Sequence, residues 1–167
     1  MSLDNIQLSP VLVKKLYSHC LYQMEPAKQH FENNPSDTDL SSLGNNEKNI
    51  LIVVNDKQAL HATESDLKLL TDILIACQLT LADVALVNMD KNPAADYSTL
   101  NRQFIPRKIF LFGVSPASLG FPLHFPEFQL QAYNGQQYLL SPSLASLNQN
   151  RSEKMQLWQL LQKIFKA

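Results

Sequence analysis

Short apolar runs recur along the chain after residue 49 and predict the strands of a sheet. Residues 50–54, 84–87 and 108–112 are nearly continuous stretches of aliphatic and aromatic side chains. Such runs, without the polar alternation of a half-exposed strand, are typical of strands buried on both faces of a parallel sheet. Residues 137–140 predict a further strand, and residues 128–133 predict a short edge strand.

Between these runs, the apolar positions change to helical spacing. A start signal at Thr63 and Asp66 precedes one helix, and a second at Ser152 precedes the last helix. The inner stripes of the two helices are Leu67, Leu70, Leu74 and Cys77, and then Met155, Trp158, Leu161 and Phe165. The order of elements predicts an α/β fold, a three-layer α/β/α sandwich with a central parallel sheet of about four strands.

The residues before the first long strand differ in character and predict two further segments. Residues 1–25 predict an N-terminal helix, and residues 26–48 predict a linker because they are rich in turn formers. Residues 49–167 then form the α/β domain. We expect the apolar stripe of the N-terminal helix to bury against the body or in a partner's groove. Its partner-binding candidates are Leu16, Tyr17 and Met24.

Composition and charge exclude several functional classes. The 167 residues carry 14 basic and 15 acidic side chains, so a net charge of −1 gives no general attraction to nucleic acid or to an anionic membrane. The longest apolar run is far too short to cross a bilayer, and the N-terminus lacks the basic flank of a signal peptide. Two isolated cysteines, Cys20 and Cys77, make no disulfide framework. The sequence therefore predicts a cytoplasmic protein with no membrane partner.

Polar side chains follow three of the predicted strands, at the place where ligands bind in open α/β sheets. Asp56 follows the first strand, Asn88 the second and Ser141 the last. A carboxylate can orient a water molecule, and an asparagine side chain can read an amide edge by donating and accepting at once. The same residue types also end strands as ordinary turn formers, an interpretation that needs no ligand.

Other catalytic arrangements lack the residues that they need. The chain has four glycines and no glycine-rich phosphate loop. Ser141 and Ser143 flank a proline instead of lying on a Gly-flanked nucleophile turn. No pair of His or Cys residues has metal-ligand spacing. The sequence therefore predicts neither a metal nor another cofactor.

Three motifs at the strand ends resemble the uracil-DNA glycosylase superfamily, and the likeness extends from residue 49 to residue 164. The motifs read Asn55-Asp56-Lys57-Gln58-Ala59, then Asn88 with Lys91 and Pro93, then Ser141-Pro142-Ser143 before a helix that carries Trp158. The resemblance implies that Asp56 stands at the acidic, water-handling position of the family. It also implies that Asn88 stands at the base-recognising position.

The chain departs from that family where catalysis requires specific residues. Ser141 stands where the family has its catalytic histidine, and the glycines of the first motif are missing. Because the histidine would stabilise negative charge on the leaving base, the departures imply a protein without glycosylase activity. The iron–sulfur cysteines of the bacterial branch are also absent, so the resemblance implies no cluster.

The chain is also similar to the psi subunits of bacterial DNA polymerase III, which have this fold without glycosylase activity. The shared features are Val54-Asn55-Asp56 with Ala59-Leu60, Ser141-Pro142 with Leu144, the Trp-bearing last helix and an extended N-terminal segment. This likeness implies a non-catalytic interaction subunit, a DNA replication accessory with the clamp loader or other replication proteins as partners. A divergent glycosylase-like enzyme that uses Asp56 and Asn88, or a nucleic-acid-binding module, remains the alternative.

Overall fold

The structure, a computed structural model, describes residues 39–121 and 124–165. Within these residues it contains six strands and four α-helices, with short 3-10 helices between several of them. The strands are β1 Ser42–Leu43, β2 Ile50–Val54, β3 Val84–Asn88, β4 Lys108–Phe112, β5 Leu130–Tyr133 and β6 Gln136–Ser141. The helices are α1 Glu64–Ala76, α2 Tyr97–Phe104, α3 Leu144–Gln149 and α4 Arg151–Phe165.

The six strands form one sheet in the order β1-β3-β2-β4-β6-β5. The inner strands β3, β2, β4 and β6 run parallel, whereas β1 and β5 pair antiparallel at the two edges. The predicted α/β class is confirmed. The expected parallel sheet of about four strands is corrected to a mixed sheet of six, because the chain adds a short antiparallel strand at each edge.

Helices cover both faces of this sheet. Leu70 of α1 and Leu157 of α4 pack on one face, where α3 also lies. Leu100 and Phe104 of α2 pack on the opposite face. The five residues of β2 are therefore buried from both sides, with exposed fractions of at most 3%. This double burial accounts for the unbroken apolar run that predicts the strand.

Local signals explain several of the connections. Asn134 and Gly135 join β5 to β6 with φ values of 50° and 74°, the conformation that a two-residue hairpin turn requires. A capping box between Thr80 and Asp83 sets the 3-10 helix that leads into β3. The last helix begins earlier than the predicted cap at Ser152, because the Oδ1 atom of Asn150 accepts a hydrogen bond from the Ser152 N–H at 3.1 Å.

Residues 39–48 belong to the α/β body, although the sequence predicts a linker over residues 26–48. Leu40 is buried, at 4% exposure, and Ser42 of β1 pairs with Val87 of β3. The Asn46 N–H donates to the carbonyl oxygen of Val84 at 3.1 Å. The turn formers of this stretch thus build an ordered connection between β1 and β2, and the described part of the body starts before residue 49.

The remaining predictions for the N-terminal region lie outside the described residues. These are the helix over residues 1–25, the first part of the linker, and the partner-binding candidates Leu16, Tyr17 and Met24. They stay predictions from the sequence.

The inward face of the last helix agrees only in part with the predicted stripe, since Leu161 is buried and Phe165 packs against the core but the other two positions differ. Met155, expected in the core, is 53% exposed, and Trp158 is half-buried. Leu157, which lay off the predicted stripe, is buried together with Leu161 at 1% and 2% exposure. The helix is apolar over more than one face, so the sequence spacing alone did not determine which face packs on the sheet.

Ile105 follows α2 in a conformation that β-branched residues rarely adopt. Its φ and ψ angles of 43° and 53° lie in the left-handed region. The side chain is 72% exposed, so packing does little to compensate for the backbone strain. Pro106 follows directly and prevents continuation of the helix.

Replacing Ile105 with glycine should therefore raise the free energy of unfolding by about 1 kcal/mol, because glycine adopts the left-handed region without a Cβ clash. The matched control is Ile75→Gly, which changes an isoleucine of similar exposure, 65%, inside α1. That variant should lose roughly 0.5–1 kcal/mol, since glycine is unfavourable within a helix. Urea unfolding of both variants measures the two signs, and a loss of stability at position 105 would contradict the strain argument.

Candidate functional site

Because the inner strands are parallel, the polar residues at their carboxyl ends lie along one edge of the sheet, but they do not all lie close together. Val54 of β2 aligns with Asn88 of β3 and with Phe112 of β4, and Phe112 aligns with Ser141 of β6. Asp56 lies just beyond β2, and its N–H donates to the Oδ1 atom of Asn88 at 3.0 Å. Ser141 is three strand positions away from Asn88, about 14 Å at the usual strand spacing. The structure therefore brings together Asp56 and Asn88, and it leaves Ser141 apart.

The side-chain amide of Asn88 is fully buried and bonds to the loop that follows β2. Its exposed fraction is 0%. The Nδ2 atom donates to the carbonyl oxygens of Asp56 at 2.7 Å, Ala59 at 3.0 Å and Leu60 at 3.3 Å. The Oδ1 atom accepts from the N–H groups of Asp56 and Asp90, at 3.0 and 3.2 Å. An amide offers two donors and two acceptor sites, so backbone groups fill the hydrogen-bonding capacity of this side chain.

The carboxylate of Asp56 closes the same loop. Its Oδ1 atom accepts from the N–H of Gln58 at 2.8 Å and from that of Ala59 at 3.3 Å, as in an Asx-turn. Its Oδ2 atom accepts from the N–H of Thr63, directly before α1, at 2.8 Å. Thr63 forms no side-chain cap of its own. Both oxygens of Asp56 thus hold the backbone between β2 and α1, where a negative charge is favourable at a helix N-terminus.

A lysine adds a third tie to this loop, which we call the β2–α1 loop and define as residues 55–63. The Nζ atom of Lys91 donates to the carbonyl oxygen of Lys57 at 3.0 Å and lies 3.8 Å from a carboxylate oxygen of Asp90. Asn88 is the last residue of β3, and Lys91 ends the short 3-10 helix that follows this strand. The segment after β3 therefore holds the β2–α1 loop in place with an amide and an ammonium group.

Ser141 is packed inside the body. Its exposed fraction is 1%, and its Oγ atom has no hydrogen-bond partner among the described residues. Its carbonyl oxygen accepts from the N–H of Gly113 at 2.9 Å. A Cβ atom on Gly113 would come within 2.8 Å of the Cβ of Ser143, so the backbones pass closely here. A hydroxyl held in this position does not face an open site.

A cleft of about 780 Å³ lies at the carboxyl edge, between the β2–α1 loop and α3. Its position fits the general rule for α/β sheets, because β3 and β4 flank β2 on opposite sides and the chain order reverses there. Lys57, Thr63 and Asp66 line it, and the Nδ2 atom of Asn148 donates to the Oδ1 atom of Asp66 at 2.9 Å. In the part of the chain that is described, no group of three His, Cys, Asp or Glu side chains could hold a metal ion.

A second buried polar cluster lies near the opposite end of β6. The hydroxyls of Tyr138 and Tyr97 both donate to the Oε1 atom of Gln136, at 2.6 and 2.9 Å. The Nε2 atom of Gln136 donates to Asn101 Oδ1 at 2.6 Å and to the Pro106 carbonyl oxygen at 2.7 Å. Burial, and next the bond network with Tyr97, raises the pKa of the Tyr138 hydroxyl far above its usual value. A phenol that stays protonated and paired in this way supports the core.

An apolar groove lies on the face of the sheet that α1 and α4 cover, and the sequence pattern did not predict it. The α1–α4 groove has a volume of about 360 Å³, and Leu69, Ile73 and Ala76 of α1 face Met155, Leu157 and Trp158 of α4 across it. The predicted stripe had assigned Met155 and Trp158 to the core. A competing stripe through Leu157, Leu161 and Ile164 was present in the sequence and would have left them at the surface.

The comparisons with known proteins assign no family. No model of a known protein family matches the chain, and no curated protein matches its sequence significantly. Among the described residues, no helix combines the length and the apolar content needed to cross a membrane.

Replacing Asn88 with alanine should destabilise the fold by about 3 kcal/mol, because several part-buried backbone groups of the β2–α1 loop lose their partner at a cost of about 1–3 kcal/mol each. The matched control is Asn55→Ala, an exposed strand-end asparagine on the neighbouring strand, which should change stability by no more than about 0.5 kcal/mol. Urea unfolding measures both. An Asn88→Ala protein with unchanged stability would mean that the amide is available to a ligand.

Proposed function

We propose that this chain is a non-catalytic protein-interaction subunit built on a uracil-DNA glycosylase-like fold. The observation that carries the proposal is that backbone groups of the protein itself occupy the hydrogen-bonding positions of the Asn88 side-chain amide. A base-recognising amide must present a free donor and a free acceptor to its ligand. Here backbone groups of Asp56, Ala59, Leu60 and Asp90 occupy those positions, and the side chain is 0% exposed.

The other two strand-end residues support the same conclusion. Asp56 would have to orient a water molecule, but both of its oxygens bind N–H groups of the β2–α1 loop. Ser141 would have to stabilise the departing base, but its buried hydroxyl is separated from Asn88 by two intervening strands. A glycosylase needs a pocket for a flipped base and a donor aimed at the leaving group. None of these three side chains is placed to supply either.

The glycosylase-like fold draws support from the arrangement of the inner strands. Four parallel strands in the order β3-β2-β4-β6 carry the three motif residues at their carboxyl ends. Asp56 and Asn88 stand at the motif positions, yet both side chains bond to the backbone of the protein itself. This pattern is expected of a pseudoenzyme derived from a base-binding ancestor.

Within this class, the psi-like role in DNA replication is the form that we propose. It rests on the sequence similarity of the strand-end motifs and the last helix, and on an N-terminal segment with its apolar candidates Leu16, Tyr17 and Met24. The partners would be clamp-loader subunits or other replication proteins. Neutral overall charge fits a role in protein contacts better than a role in general DNA binding.

A second candidate is a divergent nucleic-acid-processing enzyme, and the cleft at the carboxyl edge favours it. The cleft reaches about 780 Å³ and includes Asp56 and Lys57 in its lining. A flipped nucleotide would enter such a site from outside the strand ends. The uracil-release assay decides between the two candidates.

The purified full chain should release no uracil from single-stranded or double-stranded oligonucleotides that contain it. The reason is geometric: the amide, carboxylate and hydroxyl that would act are held by the protein backbone or by the core. An active uracil-DNA glycosylase assayed with the same oligonucleotides is the positive control. Turnover that disappears in Asp56→Asn would refute the non-catalytic assignment and support the divergent enzyme.

The replication role has its own measurement. Mixed with purified clamp-loader subunits, the chain should co-elute in size-exclusion chromatography as a complex of defined stoichiometry. A control run with an unrelated protein of similar charge identifies non-specific association. If the clamp-loader subunits and the chain elute separately at micromolar concentrations, the psi-like role is wrong, although a different interaction partner would still fit an inactive site.

A further inference from the structure

We infer that the α1–α4 groove is the docking site for an amphipathic helix of a partner protein. On the side of this helix that meets α4, carboxylates border its apolar face. The inference rests on the proposed function, since it identifies the surface through which a non-catalytic subunit would bind. It concerns a surface formed by described residues and uses none of the N-terminal candidates.

The groove is apolar and exists because α1 and α4 lie apart on the sheet. Its floor includes Leu69 and Leu157, which belong to the hydrophobic core at 3% and 1% exposure. Its walls are Ile73 and Ala76 on one side and Met155 and Trp158 on the other. A trough between two helices, with a floor of aliphatic side chains, is the shape into which a third helix places its apolar face.

This groove contains Met155, one of the large apolar side chains that are exposed in the described part of the chain. Met155 is 53% exposed on its α4 wall, and Ile75 is 65% exposed next to Ala76 on α1. Trp158, the single tryptophan of the chain, lies half-buried in the same wall. Tryptophan and methionine are enriched where proteins bind one another, because each fills an irregular pocket with a large contact area. Folding alone does not require these residues at the surface.

Charge selects the chemistry of the occupant. Arg151 and Lys154 stand on the α4 side of the groove and are exposed, and neither forms an ion pair with another described residue. The α1 side carries one carboxylate, that of Asp72. A docked helix is therefore favoured if carboxylates border its apolar face toward α4, where they meet both cations. On the side of the docked helix that meets α1, basic or neutral side chains are favoured because they face the carboxylate of Asp72.

Trp158 provides a direct reporter for occupancy. Because the chain has no other tryptophan, the indole emission reports this wall alone. The probes are two designed 18-residue amphipathic peptides without aromatic residues. They share one leucine stripe and a neutral flank, and they differ only in the other flank, which carries glutamate in one peptide and lysine in the other. Removal of water from the half-buried indole should shift its emission to shorter wavelength as the glutamate peptide saturates the groove.

The glutamate peptide should bind roughly fivefold more tightly than the lysine peptide, the upper end of what a single exposed ion pair contributes. In the double variant Arg151→Glu with Lys154→Glu, the preference should reverse. Both positions are exposed, so the double variant should keep its fold, which circular dichroism and thermal unfolding verify. Equal binding of the two peptides by the unmodified chain would refute the charge assignment.

Met155→Ser tests the apolar wall. This variant should weaken binding of the glutamate peptide severalfold. The matched control is Gln156→Ser, at an exposed neighbouring position of α4 outside the groove lining, and it should leave binding unchanged.

If neither peptide alters Trp158 emission, the groove is not a helix-docking site. If sedimentation shows a dimer that Met155→Ser dissociates, the occupant is a second copy of the chain, and our assignment of the partner is wrong.

The inference can fail without the proposed function. If the chain co-elutes with clamp-loader subunits and the groove variants co-elute equally well, the interaction role stands and the groove is not its surface. Uracil release by the full chain, in contrast, would overturn the proposed function itself whatever the peptides do.

Discussion

The buried amide of Asn88 is the interaction on which the carboxyl edge of the sheet depends. The β2–α1 loop leaves a buried strand with its backbone groups unpaired, and each such group costs about 1–3 kcal/mol if it finds no partner. Asn88 supplies donors and acceptors to that loop from the neighbouring strand, and Asp56 closes the turn from within. Together they convert a strand end that could bind a ligand into a rigid connection.

These bonds hold a loop that contains no glycine. A loop that must approach a base closely needs residues without a Cβ atom. The present loop instead carries Lys57 and Gln58, and it is held by side-chain bonds from Asn88 and Lys91. Stability and ligand recognition compete for the same polar atoms, since a donor bonded to its own backbone is not free for a substrate.

The parts of the fold that were predictable are those whose sequence pattern has one physical interpretation. The unbroken runs of β2, β3 and β4 require burial on two faces, and the Asn88 position follows from the end of a run. The two-residue strand β1 has too short a pattern to detect, and it forms because Leu40 is buried beside it and β3 offers an open edge. That the side chains of Asn88 and Asp56 both bind the β2–α1 loop, and that Ser141 is buried in the core, depends on three-dimensional register that spacing cannot supply.

The helix α4 shows where pattern reasoning has more than one solution. A helix that packs on one sheet needs an apolar stripe of roughly 100°, and Leu157 and Leu161 already supply it. Met155 and Trp158 widen the apolar surface beyond that requirement, so either stripe fits the sequence equally well. A monomer gains little from a second apolar face and risks aggregation through it. The excess of apolar residues that makes the orientation of the helix ambiguous is therefore the observation that supports the docking of a partner helix that we propose for this surface.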